Sequence, residues 1–299
     1  MIYSINDLVA MARNFMNDCA NATRSHLLSA RDIEATRNLF ETIHSMMLSI
    51  NLTSDSILLL LSNNRTWDAS ILLRSVIEGT ARLCYMLVSP SPDEENARIN
   101  EFRELLPKKE VGSLEQRVAK IIKGAFYRGK GDVCFDPLKK IVDEQKTKDG
   151  EGAQVREVSK KWGFWNITKA LRNEYALWSE MADWWEYRYA MSNSLVHKTD
   201  TGCGEIAERV ARNPEYRKIS DLSHVASLLI DNCMLFYTRF LVLSRRIKGK
   251  EASLTDVLIN NKRLFDSAEE IQQMFEEAYR KEEQESSKQN GVPCQQSKI

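Results

Sequence analysis

Apolar residues recur along most of this chain at steps of three, four and seven. Leu39, Ile43, Met46, Met47, Ile50, Ile57, Leu58 and Leu61 fall on one stripe of a long helix starting near Asp32, and Ser62-Asn63-Asn64 break it. Ile5 to Arg24 predicts an amphipathic helix before it. Thr66, with Asp68 beside the positive helix end, opens a third helix that runs to about Val88. There Ser89-Pro90-Ser91-Pro92 stops it, because proline disfavours helical geometry in its predecessor and lacks a backbone donor. Its stripe is Leu72, Val76, Leu83, Met86 and Leu87.

The pattern changes from Pro92 to about Trp162. Short helical stretches near Glu94 to Leu106, Leu114 to Ile122 and Leu138 to Lys146 alternate with glycine-containing breaks, which predicts an insertion or subdomain. Helical order returns through the aromatic stretch Trp162 to Tyr189 and continues to His197, where Thr199-Asp200-Thr201-Gly202 predicts an end. Asn213-Pro214-Glu215 is a strong helix start, and the helix it opens carries Leu222, Val225, Leu229, Cys233, Phe236, Phe240, Leu243 and Ile247 before Lys248-Gly249. Ser253 opens a last, increasingly acidic helix. The expected organisation is bundle helices over 1–89, a basic insertion over 90–165, bundle helices over 166–250, a peripheral acidic helix over 251–283 and a disordered tail over 284–299. Four long helices with single apolar stripes define an all-α fold, an up-and-down helical bundle with a basic helical and loop insertion.

Composition narrows this picture. The 299 residues suffice for a sizeable core, and 12 glycines with 6 prolines suit long helices better than a sandwich or barrel. Lys plus Arg equals Asp plus Glu at 42 each, so affinity for nucleic acid must come from local patches. The 6 cysteines are scattered without a Cys-x-x-Cys pair, as expected of reduced cytosolic thiols. No secretory pattern stands at the N-terminus, and the most apolar run, Ile57 to Leu61, is far too short to span a bilayer. A cytoplasmic protein with no membrane partner is the expectation.

Candidate chemistry begins at Ser192-Asn193-Ser194-Leu195-Val196-His197, closing the aromatic helix. It resembles the signature of the HEPN (higher eukaryote and prokaryote nucleotide-binding) superfamily of all-helical domains: arginine, a polar residue, apolar spacer positions, then histidine. Asn193, Leu195-Val196 and His197 match; Ser192 stands at the arginine position. Together with Ile71 to Gly79, the stretch is similar to bacterial helical proteins of unknown function that are distantly HEPN-like. The resemblance spans roughly Ser62 to Thr201 without the insertion. It implies RNA binding or metal-independent RNA cleavage without a cofactor, in the setting of a toxin or phage-defence effector. It also implies a homodimer and an antitoxin or defence-system partner. In such a ribonuclease His197 would handle a proton and an arginine would stabilise phosphate charge. Ser192 cannot, so Arg188, one turn earlier, or Arg74, from the facing helix, are the candidate substitutes. Arg74, Glu78, Asn193 and His197 would then form one polar pocket. The ordinary structural reading is that His197 caps the helix end or bonds within the core, in a non-catalytic interaction module.

Other constellations carry less. Arg74, Glu78 and Arg82 at steps of four also describe an ion-pair ladder. Arg37 with His44, and Arg217 with His224, repeat an Arg-to-His spacing that 22 arginines and 4 histidines produce by chance. Glu41-x-x-His44 with Asp221-x-x-His224 distantly suggests a di-iron bundle, but one member is Asp and the first helix offers only Asp7 and Asp18. Between Lys108 and Lys130 there are seven Lys/Arg against two Glu, ending in Phe126-Tyr127-Arg128. Lys120, Lys123, Arg128 and Lys130 there suit single-stranded RNA, although a solvated basic face looks the same in sequence. Trp178, Trp184, Trp185, Tyr187 and Tyr189 are distributed around their helix, as core or interface aromatics are.

Overall fold

The computed structural model describes residues 4–31, 37–109, 152–174, 178–197, 199–246 and 252–290, with Arg117 and Lys120. Among these, 93% are helical and no strand occurs. The helices are α1 (Ile5–Arg31), α2 (Arg37–Ser62), α3 (Thr66–Leu87), α4 (Pro92–Asn100), α5 (Gly152–Lys161), α6 (Phe164–Glu174), α7 (Ser179–Val196), α8 (Asp200–Ala211), α9 (Pro214–Arg246), α10 (Ala252–Asn260) and α11 (Lys262–Asn290). A π-helical turn, Glu101–Leu105, extends α4. The chain divides into two compact units, Met1–Cys84 with Asp183–Ile299, and Tyr85–Ala182.

In the first unit α9 is the central element, packed against α1, α2 and α11. Its predicted stripe is the buried one: Val225, Leu229, Cys233, Phe236, Phe240 and Leu243 are all in the core. Phe15 of α1 is fully buried and meets Tyr237 and Phe265, tying α1 to α9 and α11. Gly79 lets α3 approach α2, since a Cβ there would sit 2.8 Å from Cγ1 of Ile50. Arg239 lies inside this core with no exposure. It donates to Thr80 Oγ1 at 2.9 Å, Asn51 Oδ1 at 3.0 Å and Ser54 Oγ at 3.1 Å, linking α9 to α3 and α2. Burial pushes its pKa down to about 9, because the charged form loses solvation.

The second unit is organised by Arg98. Its side chain is 2% exposed, stacks 3.9 Å from the centre of the Tyr85 ring, and donates to Glu174 Oε1 at 2.6 Å. It also donates to the backbone carbonyls of Tyr85 and Val88, closing the end of α3 onto α4. Ser91 caps α4 by accepting from the Glu94 amide at 3.2 Å, and proline in the first turn is tolerated because that N–H has no helical acceptor. Trp162 donates from Nε1 to Glu101 Oε2 at 2.8 Å and packs edge-on against Tyr85.

Several boundaries differ from the sequence expectation. The aromatic helix does end before Thr199, α7 closing at Val196, but a further helix that was not expected follows at once: Thr199 caps α8, its hydroxyl accepting from the Gly202 amide at 3.3 Å. Gly202 is needed there for another reason, since a Cβ would lie 2.6 Å from the Ser194 carbonyl oxygen at the end of α7. The stretch beginning at Trp162 is at least two helices, α6 and α7. The last helix is likewise two, α10 and α11, and α11 continues past Gln284 to Asn290. Two helices, Leu39–Ser62 and Pro214–Arg246, are long and apolar enough to cross a membrane by length and composition. The expectation considered only the uninterrupted run at Ile57 and overlooked them. The apolar window of α9 is 72% buried, as a core helix is; that of α2 is 33% buried.

Candidate functional site

The residues singled out in sequence are held separately. His197 stands exposed in the turn after α7, and its amide donates to the Asn193 carbonyl at 3.1 Å. Asn193 is half-buried, and Ser192 is buried at 5% exposure. Arg188 turns toward α9, where its Nε lies 2.8 Å from Asp231 Oδ2 and its Nη2 donates to Ser227 Oγ. Trp184 also hydrogen-bonds Asp231, whose pKa burial raises to about 6 against the pull of Arg188. Arg74 donates to Tyr189 Oη at 2.8 Å and lies 4.7 Å over that ring. Tyr189 precedes His197 by eight residues, about 12 Å of helix rise. Glu78 pairs with Arg82 at 2.6 Å, which realises half of the expected ladder. No side-chain hydrogen bond or ion pair joins any two of His197, Asn193, Arg188, Arg74 and Glu78. The expected single pocket is therefore not held together by direct bonds among these side chains. Lys120 is exposed; Lys123, Arg128 and Lys130 lie outside the described residues.

The structure instead builds a polar cluster around His224 of α9. Ser70 Oγ is 3.3 Å from Nε2, Arg209 Nη1 is bonded to Nδ1, and Trp67 packs edge-on at 5.1 Å. Burial, then the Arg209 and Arg188 cations, lower the His224 pKa to about 3. The ring is consequently neutral near pH 7. Guanidinium can only donate, so Nδ1 is the acceptor and Nε2 carries the proton. That N–H donates to Ser70 Oγ, whose own hydroxyl donates to the Thr66 carbonyl at 3.1 Å. Both ring nitrogens are occupied, which leaves His224 neither a metal ligand nor a general base. In this arrangement Nδ1 of His224 faces the Arg209 cation, not a carboxylate of a di-iron ligand set. Among the described residues no His, Cys, Asp and Glu group could hold a metal ion.

Arg209 belongs at once to this cluster and to a groove of about 820 Å³. Its guanidinium stacks 4.8 Å from the Trp67 ring centre, and Asp221 Oδ1 is 4.0 Å from its Nη1. Burial lowers its pKa. Arg217, Lys218 and Asp221 of α9 line the same groove, with Ile5, Val210, Leu222 and Val225 as apolar wall. Arg217 Nε and Asp221 Oδ2 are 3.9 Å apart. Thr66 and Trp67 bring the first turn of α3 to its edge. Sequence reasoning missed Trp67, Ser70 and Arg209. The Arg217–His224 spacing was visible but indistinguishable from chance, and only the approach of α8 gives it meaning.

A model of a family of unknown function, DUF5677, matches residues 40–210, more than half of the chain. The chain belongs to the DUF5677 family. The DUF5677 region contains α3, α7 and all of α8 but its last residue, and so Trp67, Ser70, Arg209 and the Asn193–His197 stretch. Arg217, Lys218 and His224 follow it. No curated protein and no solved structure matches the chain. The expected all-helical family of unknown function is thus DUF5677.

Proposed function

We propose that this DUF5677 protein binds RNA without cleaving it. The observation that carries the reading is the groove lined by Arg209, Arg217, Lys218 and Trp67, with Arg209 stacked over the Trp67 ring. Cations that neutralise phosphate beside an aromatic that stacks on a base are the two contacts single-stranded RNA offers any protein. The HEPN resemblance points to the same ligand class. The non-catalytic reading is supported by the two positions the motif offers for a catalytic cation: Ser192 is buried, and Arg188 is held by Asp231 and Ser227. In a toxin or phage-defence effector, the setting the resemblance implies, this groove would be the RNA contact. The resemblance adds a homodimer and an antitoxin or defence-system partner; light scattering on the purified protein tests the first of these.

The test is a titration of fluorescent single-stranded RNA, paired with incubation of total RNA in EDTA. Wild type binds and leaves the RNA intact, the double variant Arg209→Ala/Arg217→Ala loses about tenfold or more in affinity, and His197→Ala behaves as wild type. RNA fragments that appear with wild type and vanish with His197→Ala overturn the non-catalytic reading. Equal affinity of the double variant overturns the groove as RNA contact.

A further inference from the structure

We propose that the groove is a phosphomonoester site: Arg209, held by Nδ1 of His224, binds the terminal phosphate of a nucleotide whose base lies against Trp67. The proposal rests on the RNA-binding reading for the base contact and adds which phosphate is recognised.

Charge is the first argument. The groove carries three cations, Arg209, Arg217 and Lys218, against one carboxylate, Asp221. The resulting net charge of about +2 matches the roughly −1.5 to −2 of a phosphomonoester at neutral pH, whereas an internal phosphodiester carries about −1. Geometry is the second. About 820 Å³ falls within the range that encloses one small ligand, and the apolar walls from α1, α8 and α9 suit the sugar and base edges. The opening turn of α3 borders the groove at Thr66 and Trp67, where amides without an intrahelical acceptor favour an anion.

The third argument is the readiness of Arg209. One N–H is directed to His224, and the face of the guanidinium rests on Trp67. Among the described residues its remaining donors make no other hydrogen bond, and Asp221 pairs with it only loosely, at 4.0 Å. The chain Arg209, His224, Ser70, Thr66 runs from α8 through α9 to α3, so the arginine is fixed from behind by a ring that cannot repel it. His224 is a positioning residue here: it sets the arginine and touches no ligand.

Calorimetric titration with adenosine 5′-monophosphate and adenosine, and anisotropy with one RNA oligomer bearing either a 5′-phosphate or a 5′-hydroxyl, test this. The monophosphate binds about tenfold or more tightly than adenosine, and the phosphorylated oligomer more tightly than its partner. Arg209→Ala removes the preference, as does the exposed pair Arg217→Ala/Lys218→Ala, which leaves the fold intact. His224→Phe weakens the monophosphate severalfold, while His224→Gln, which keeps an acceptor, restores it; a merely space-filling role would let phenylalanine serve as well. Equal binding of monophosphate and adenosine, or binding of neither, overturns the proposal. RNA binding indifferent to the 5′-phosphate removes this inference and leaves the RNA reading standing. Binding of the monophosphate without any RNA does the reverse.

Discussion

At the residue scale the deciding contrast is between two histidines. His197 sits in a recognisable motif and is exposed, whereas His224 sits in no specific motif and is surrounded by Arg209, Ser70 and Trp67. The electrostatic consequence is measurable. The His224 pKa is about 3 in the folded chain and 6.5 in its unperturbed state. The unfolded chain therefore binds a proton that the folded chain refuses as pH falls below 6.5. The stability that neutral His224 contributes is complete above pH 6.5 and is lost as pH falls toward 3, with a slope of up to about 1.4 kcal/mol per pH unit. Asp231 acts in the opposite sense: raised to about 6, it takes up a proton before the unfolded chain does, so acidification from pH 6 to 4 relieves its burial. Urea unfolding of wild type and His224→Gln at pH 7 and pH 5 separates the two. The variant should lose less stability between these pH values than wild type; an equal loss would show that His224 does not titrate in this way.

At the scale of elements, the site depends on how α8 meets α7. Thr199 turns the chain and caps α8, and Gly202 allows α8 to rest against the last carbonyls of α7. An added methyl would lie 2.6 Å from the Ser194 carbonyl oxygen and 2.8 Å from its carbon, both backbone atoms that have no rotamer to yield. Gly202→Ala should destabilise the protein by about 1–3 kcal/mol, the usual effect of overpacking, by displacing α8. Since α8 carries Arg209, nucleotide affinity of the folded variant should fall with it. Chemical denaturation and the monophosphate titration read the two effects separately; unchanged values in both would mean that α8 reaches its position by other contacts. Gly79 is a milder case, because the atoms a methyl would meet belong to the Ile50 side chain.

Over the whole molecule, charge cancels at 42 against 42, which leaves little general attraction for a polyanion. Affinity for RNA must then come from a few placed cations, and its salt dependence should count them. Removing Arg209 and Arg217 together should reduce the slope of log affinity against log salt by about 1.4, two single-strand contacts at roughly 0.7 each. An unaltered slope would place the phosphate contacts elsewhere, with the basic segment at Lys120 the first alternative.

The apolar periodicity determined a good deal of this protein by itself. Stripes at steps of three and four fixed helices at Arg37–Ser62, Thr66–Leu87 and Pro214–Arg246, because burying one face of a helix needs only that spacing. The stop at Pro90-Ser91-Pro92 and the start at Asn213-Pro214-Glu215 were equally legible, since caps are local chemistry: Asn213 Oδ1 accepts from the Glu215 amide at 3.0 Å. Local chemistry told half the story at Thr199 to Gly202: α7 does end just before, at Val196, but the same residues also begin the next helix. The site was not legible. Arg74, Arg188 and Arg209 are alike in sequence, and their roles differ only through partners 115, 43 and 15 residues away: Tyr189, Asp231 and His224. Which arginine is held in a buried pair and which faces a groove depends on the rotation of α7, α8 and α9 against one another. That rotation is set by the packing of whole helix faces, so only the tertiary structure decided it.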